Sequence, residues 1–307
     1  MGCCCGADKK NTKKPMPRRE PAPPPVNIRH EESIKKDVRK DDKGADSPKK
    51  EDPQKFKKEK KPKKKNTDVD KLMKAAKEHE THGLTKDKKS AALFLDCDEN
   101  YRGVSDFLKT SSNFKIDALD RVSINCVNKL DNRDKKCASS LFNGKNLKSI
   151  NTIYLNGHTE SGLKDINEYA STLFKTATKQ IYLDSFNFDQ DDLIQIFSTC
   201  VKTQELCLIN CSIEKLDEDF KLNPKQVFAM KSLDMYWTLS KDRDDLIDEE
   251  KAKIFFKAIA KSKLKASLKQ IHACTNDFKA KELEAVIKAA GLKARVVCDT
   301  KQPKPKH

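Results

Sequence analysis

Apolar-x-apolar triplets recur along this chain, and two of them are followed by a helical stripe in the same phase. Thr178-Lys-Gln-Ile181-Tyr-Leu183 alternates apolar and polar side chains, the period of a half-buried strand. Beyond it, Leu193, Ile196, Phe197 and Cys200 fall at i, i+3, i+4 and i+7, which is one face of a helix. Leu268-Lys-Gln-Ile271-His-Ala273 repeats the strand, and Leu283, Val286, Ile287 and Ala290 repeat the stripe. In both cases the stripe begins 12 residues after the strand anchor.

Eight such anchors run along the chain: Leu93, Val122, Ile153, Ile181, Leu206, Leu233, Ile271 and Val296. Each has an apolar partner two residues on: Leu95, Ile124, Leu155, Leu183, Leu208, Met235, Ala273 and Cys298. Four units add an apolar residue three before the anchor, at Leu119, Ile150, Met230 and Leu268. The intervals between anchors are 29, 31, 28, 25, 27, 38 and 25 residues. A lone strand–helix unit cannot bury its apolar side, so units of this kind stack, with a parallel sheet covered by helices.

L-x-x-[IL]-x-L followed by a helix, at this period, resembles a leucine-rich repeat of the ribonuclease-inhibitor-like subclass, over about residues 90–300. The resemblance implies an α/β fold: a curved solenoid of seven to eight units, with parallel strands on the concave side and helices on the convex side. The family places Asn or Cys five residues after the anchor to bond loop backbone. Cys211 and Asn276 fit, whereas Asp98, Val127, His158, Phe186 and Thr238 do not. Residues beside the anchors would face the concave surface and bind a protein partner. The candidates are Arg121, Tyr154, Gln180, Tyr182, Glu205, Asp234 and His272, with Tyr236 and Trp237 at the edge. Lys71–His79 reads as a short capping helix within a 67–89 cap and linker, and 301–307 as a charged tail.

Charge is spread unevenly. The chain of 307 residues has a formal net charge of +16, and residues 1–66 hold 22 Lys+Arg against 11 Asp+Glu and nine of the twelve prolines. That leaves about +5 for the remainder. Residues 1–66 therefore carry too little apolar surface to offset chain entropy and are expected to be a disordered basic arm. The lysines at Lys9, Lys10, Lys13, Lys14, Lys57, Lys58, Lys60, Lys61, Lys63, Lys64 and Lys65 suit an anionic membrane surface, at about 1 kcal/mol each near the headgroups. The same run could instead serve nuclear import or nucleic-acid binding, the second choice.

The arm begins Met-Gly2-Cys3-Cys4-Cys5. Gly2 suits the myristoylation pattern M-G-x-x-x-[ST], except that Gly6 stands where Ser or Thr is usual. A cysteine beside Gly2 resembles the dual-acylation signal of Src-type kinases and G-protein α subunits. One myristoyl chain gives only marginal binding, with K of ~10⁴ M⁻¹, so palmitate on Cys3, Cys4 or Cys5 would supply the second anchor. The expectation is a lipid-anchored peripheral protein on the cytoplasmic face of a membrane, probing its partner as a monomer.

Enzyme chemistry finds no foothold in the spacing. The six histidines form no HExxH, and no CxxC pair occurs among the eleven cysteines. Asp96-Cys-Asp98-Glu-Asn100 opens like a calcium loop, but Tyr101 and Phe107 stand where Gly and Glu belong. Neither a catalytic residue nor a metal or other cofactor is assigned. Asp242–Glu250, with six acidic residues in nine, reads as a solvated loop before a helix.

Overall fold

The computed structural model describes residues 68–83, 91–163, 166–240, 245–275 and 278–299. Gly2, Cys3, Cys4, Cys5, the arm lysines, Asn276 and the 301–307 tail lie outside the described residues, and so does part of the acidic run at 242–244. The described chain is an α/β structure. In order its elements are α1 (Val69–Glu78), β1 (His82–Gly83), β2 (Ala92–Asp96), α2 (Tyr101–Ser111), β3 (Ile116–Asn125), α3 (Asn132–Leu141), β4 (Leu147–Ser161) and α4 (Asn167–Thr176). There follow β5 (Ala177–Phe188), α5 (Gln190–Thr199), β6 (Glu205–Ile209), β7 (Ser212–Ile213), β8 (Ser232–Tyr236), α6 (Glu249–Lys261), α7 (Leu264–Ser267), β9 (Gln270–Cys274), α8 (Ala280–Ala289) and β10 (Arg295–Asp299).

The strands lie in chain order, β1-β2-β3-β4-β5-β6-β8-β9-β10, while β7 pairs with the end of β5. All neighbours from β2 to β10 are parallel, and β1 closes the first edge antiparallel to β2. The eight sequence anchors form one continuous row: Leu93 pairs with Val122, then Ile153, Ile181, Leu206, Leu233, Ile271 and Val296. Seven of them, all but the edge residue Val296, have no exposed surface. Each such aliphatic side chain contributes about 1.5–3 kcal/mol by leaving water.

Helices cover this anchor face. Neighbouring helices α2 and α3, α3 and α4, and α4 and α5 pack on one another, as do α6 and α8. Their starts are fixed locally by short acceptors. Asn100 accepts from the Gly103 amide, Asp131 from Asp134, Asp189 from Asp192 and Asp248 from Lys251. Each cap satisfies an otherwise orphaned helical N–H and is worth about 1 kcal/mol.

The expectation of a helix in every unit fails once. Between β7 and β8, residues 214–231 form no helix. Leu216, Phe220, Leu222, Phe228 and Met230 are nevertheless buried, and the Phe220 ring stacks on Phe255 of α6 at 6.1 Å. The spacing of these apolar residues follows no helical period, and Pro224 removes an amide donor. An irregular segment thus covers the anchor face where a helix does so elsewhere. The 38-residue interval has the opposite cause: the segment between β8 and α6 is longer than its counterparts, α6 is 13 residues long where α5 has 10, and α7 is added before β9.

A backbone feature also repeats. The residue four after the anchor is left-handed in four units: Cys126 (φ 53°), Ser185 (φ 60°), Asn210 (φ 51°) and Trp237 (φ 57°). This conformation is unfavourable for residues with a Cβ, so the turn that follows each strand must hold it in place. One position further, Cys211 Sγ donates to the carbonyls of Leu183 and Ile209, both at 3.3 Å. Thr238 Oγ1 contacts the equivalent carbonyls, Leu208 and Tyr236, both at 3.2 Å, and accepts from the Cys211 amide. Thr238 therefore does the work expected only of Asn or Cys, because a hydroxyl offers the same short donor and acceptor.

Candidate functional site

The face of the sheet away from the helices carries three parallel rows of side chains. The first row, one before the anchors, runs Arg121, Thr152, Gln180, Glu205, Ser232, Gln270 and Arg295. The second, one after the anchors, runs Phe94, Ser123, Tyr154, Tyr182, Cys207, Asp234, His272 and Val297. The third, two further along, includes Asp96, Asn125, Asn156, Asp184, Ile209, Tyr236, Cys274 and Asp299. Alternation along each strand places all three on one face.

Exposure divides this face. Phe94 is 41% exposed and Arg121, Tyr154, Gln180, Tyr182 and Glu205 are half-buried. Across β6, β8 and β9 the face closes on itself. Cys207, Ile209, Tyr236 and Cys274 form a second small apolar cluster, separate from the core, with Tyr182 and Trp237 packed against it. Asp234 is also buried there, at 6% exposure. Asp234 and Tyr236, expected to be open to a partner, therefore lie beneath the surface, and Tyr182, Glu205, Trp237 and His272 form the accessible skin.

Hydrogen bonds string the rows together. Thr152 donates to Gln180 Oε1 at 3.5 Å, and Gln180 Nε2 donates to Glu205 Oε2 at 3.0 Å. Cys207 Sγ lies between two carboxylates, 3.5 Å from Glu205 and 3.7 Å from Asp234. Asp234 also accepts from Ser232 Oγ at 2.6 Å and from Tyr236 OH at 3.0 Å. The same phenol is 3.2 Å from His272 Nδ1, and His272 Nε2 is 2.8 Å from Asp299 Oδ2. One phenolic proton thus has two claimants, Asp234 and His272. Tyr154 stands apart from this network, donating to Asp184 at 2.5 Å, with its ring 6.4 Å from that of Tyr182.

The electrostatics of the patch has one sign. Burial, then the charges of Asp234 and Glu205, push the Cys207 thiol well up. Burial, then Cys207, Glu205 and Asp234, raise the Tyr182 hydroxyl, which Arg121 opposes. Burial and Asp234 raise Tyr236, and burial and Asp184 raise Tyr154. These hydroxyls and the thiol are therefore protonated at neutral pH. A thiol flanked by carboxylates is the reverse of the electropositive setting that activates a cysteine nucleophile.

Glu205, Cys207 and Asp234 also place three potential metal-ligand atoms within 4.8 Å of one another. Two carboxylates and a thiolate could hold a divalent cation, which would offset their mutual repulsion.

Of the residues expected from sequence, the fold joins Gln180 to Glu205, and Asp234 to Tyr236 and His272. Tyr182 and Trp237 join this group through the apolar cluster. Arg121 and Tyr154 lie toward β3 and β4 on the same face. Of the third row, sequence reasoning named Tyr236 alone and missed the rest, above all Asp184 and Asp299. The signal was present, since the residue three after each anchor has the same parity as the chosen one. No protein-family model matches the chain, and no curated protein matches it.

Proposed function

We propose that this protein is a non-catalytic, membrane-tethered interaction adaptor built on a leucine-rich-repeat solenoid, and that its open sheet face receives a protein partner. The single observation that carries the reading is that face. It is a parallel sheet with one side covered by helices and the other presenting aligned aromatic and polar side chains with no element over them among the described residues. Parallel sheets are ordinarily covered on both sides, so an open face of this length calls for a partner. Half-buried Tyr154, Tyr182 and Trp237 are rigid side chains of the kind that dominate binding energy at interfaces.

The repeat assignment is supported by the single register of all eight anchors, the recurring left-handed position and the matched bonds of Cys211 and Thr238. A solenoid of this kind curves because helices are wider than strands, which would make the open face concave. The non-catalytic reading is supported by the protonated state of Cys207 between its carboxylates.

The tether rests on Gly2, Cys3, Cys4 and Cys5 and on the lysines that follow. Membrane fractionation of the wild type beside Gly2→Ala and Cys3/Cys4/Cys5→Ser variants tests this part. The wild type sediments with membranes and the variants are released. A soluble, nuclear distribution shared by all three favours the nucleic-acid-associated alternative.

A further inference from the structure

We propose that the end of the sheet at which its strands begin is a docking surface for anionic lipid, so that the folded part of the chain itself lies against the membrane. This rests on the membrane-tethered reading and adds to it a contact that uses none of the acylation sites or arm lysines. Because β2 to β10 are all parallel, every connection into a strand lies at one end of the sheet and every connection out lies at the other. The two ends differ in charge. Residues 177–179, 200–204, 223–231, 261–269 and 290–294, where β5, β6, β8, β9 and β10 are entered, hold nine lysines, all exposed, and no Asp or Glu. At the other end, residues 184–192, 214–219 and 245–250 hold twelve Asp and Glu against one lysine, Lys215, which is paired with Asp217.

None of the nine lysines has an ion-pair partner among the described residues. Lys261, in the last turn of α6, is favoured there by the helix dipole, but Lys179, Lys231 and Lys269 stand at strand starts, where no dipole asks for them. Backbone hydrogen bonds join those starts in a row. The Gln204 amide donates to the Lys179 carbonyl at 3.0 Å, Lys231 to Gln204 at 2.7 Å and Lys269 to Lys231 at 2.8 Å. Lys231 and Lys269 therefore begin adjacent strands, about 4.8 Å apart at the backbone, and their charges repel with no carboxylate between them. An anionic surface relieves that repulsion. Val227 points to the same kind of surface independently. It is 68% exposed, the most exposed large apolar side chain among the described residues. Its neighbours fix it at the basic end: Gln226 Nε2 donates to the Phe197 carbonyl in the last turn of α5 at 2.7 Å, and the Ala229 amide donates to the Val201 carbonyl, beside Lys202, at 2.9 Å. An aliphatic side chain among lysines suits a headgroup layer, where the apolar group enters and the ammonium groups meet phosphates. A nucleic acid fits less well. These five stretches contain no arginine, and their one aromatic residue, Phe228, is buried, so they offer neither a bidentate phosphate contact nor a stacking platform. With the acidic end turned away, the strands point out from the bilayer and the open face stays clear for a protein partner.

The test sediments unacylated full-length protein with phosphatidylcholine vesicles, with and without phosphatidylserine. Lys231→Gln/Lys263→Gln/Lys269→Gln is expected to lower binding to the phosphatidylserine vesicles about fivefold for each lysine removed. Lys215→Gln/Lys253→Gln/Lys281→Gln makes the same change in net charge on exposed lysines toward the opposite end. It is expected to change binding little, because charges more than a Debye length of ~8 Å from the surface are screened. Trp237, the only tryptophan, follows β8 at the acidic end, so its emission should not respond to vesicles. In Val227→Trp the added emission is expected to shift to the blue on phosphatidylserine vesicles. Equal losses in the two triple variants, no blue shift in Val227→Trp, or no vesicle binding at all overturns the docking surface and leaves the acyl tether to the fractionation above. Binding to single-stranded RNA that the first triple variant weakens, with no response to vesicles, overturns it in favour of a nucleic acid. A wild type that stays soluble in cells while the vesicle results hold overturns the tether and sustains the docking surface.

Discussion

The two faces of the sheet are made from alternate residues of the same strands, yet they obey different rules. On the helix-covered face, Leu93, Val122, Ile153, Ile181, Leu206, Leu233 and Ile271 are interchangeable aliphatics with no exposed surface. On the open face, the adjacent row runs Phe94, Ser123, Tyr154, Tyr182, Cys207, Asp234 and His272, with no two neighbours alike except the tyrosines. One face is uniform because each strand must bury the same apolar area against a helix. The other is free to vary because no helix lies over it among the described residues, so its side chains pack only on one another. Stability should therefore reside on the first and selectivity on the second, and substitutions one residue apart should have unlike consequences.

The largest effect comes from the covered face. Ile181→Ala leaves a cavity under α4 and α5 and should cost about 2–5 kcal/mol in denaturant unfolding. A loss below about 1 kcal/mol would mean that this row is not a packed core. Alkali attacks the same face. Burial pushes the Cys97 thiol from its ordinary value of 9.0 up to about 12. Burial does the same for Cys211, against backbone N–H groups that pull it down. Both groups bind their protons more tightly when folded, so their contribution is fully present below pH 9 and lost between pH 9 and 12. Midpoints in urea should thus hold steady to pH 9 and fall above it, and a fall that begins near neutrality would contradict the burial of these thiols.

Between the faces lie the strand ends, such as the last residues of β4, and the turns. A Cβ at Gly157 would stand 2.9 Å from the Phe186 ring, so Gly157→Ala should destabilise by about 1–3 kcal/mol. Thr238→Val keeps the shape but removes the hydroxyl that bonds Leu208 and Cys211, and should cost about 1–2 kcal/mol by thermal or chemical melting. The smallest effect is expected on the open face. Tyr154→Phe loses the hydrogen bond to Asp184 Oδ2 at a half-buried site, while Ser185 and Asn210 keep theirs to Oδ1, and should cost about 1 kcal/mol. A loss as large as that of Ile181→Ala would erase the distinction between the faces.

How much of this could be read in advance also follows the division. Every anchor and its partner two residues on was legible, because a covered face repeats one physical demand and writes it as periodicity. The irregular segment at 214–231 was not legible as a substitute for a helix. Its buried residues have no period, and Phe220 finds its place only against Phe255, 35 residues away. The role of Thr238 was hidden by too narrow a residue rule. On the open face, parity located Tyr154, Tyr182 and Glu205. It could not reveal that Asp234 and Tyr236 sink into a second cluster, since that depends on which side chains three neighbouring strands bring together. Nor did pairwise spacing expose the network from Asp234 to Asp299, which crosses three strands and 65 residues of sequence.

The claim that the open face is the working surface can be put to one measurement. A photo-crosslinking amino acid is placed in the full-length protein in cells at position 182, on the open face, and separately at Lys175, exposed on α4. The account predicts a discrete partner adduct from position 182 and none from position 175. The same adducts from both positions, or adducts from 175 alone, would contradict it.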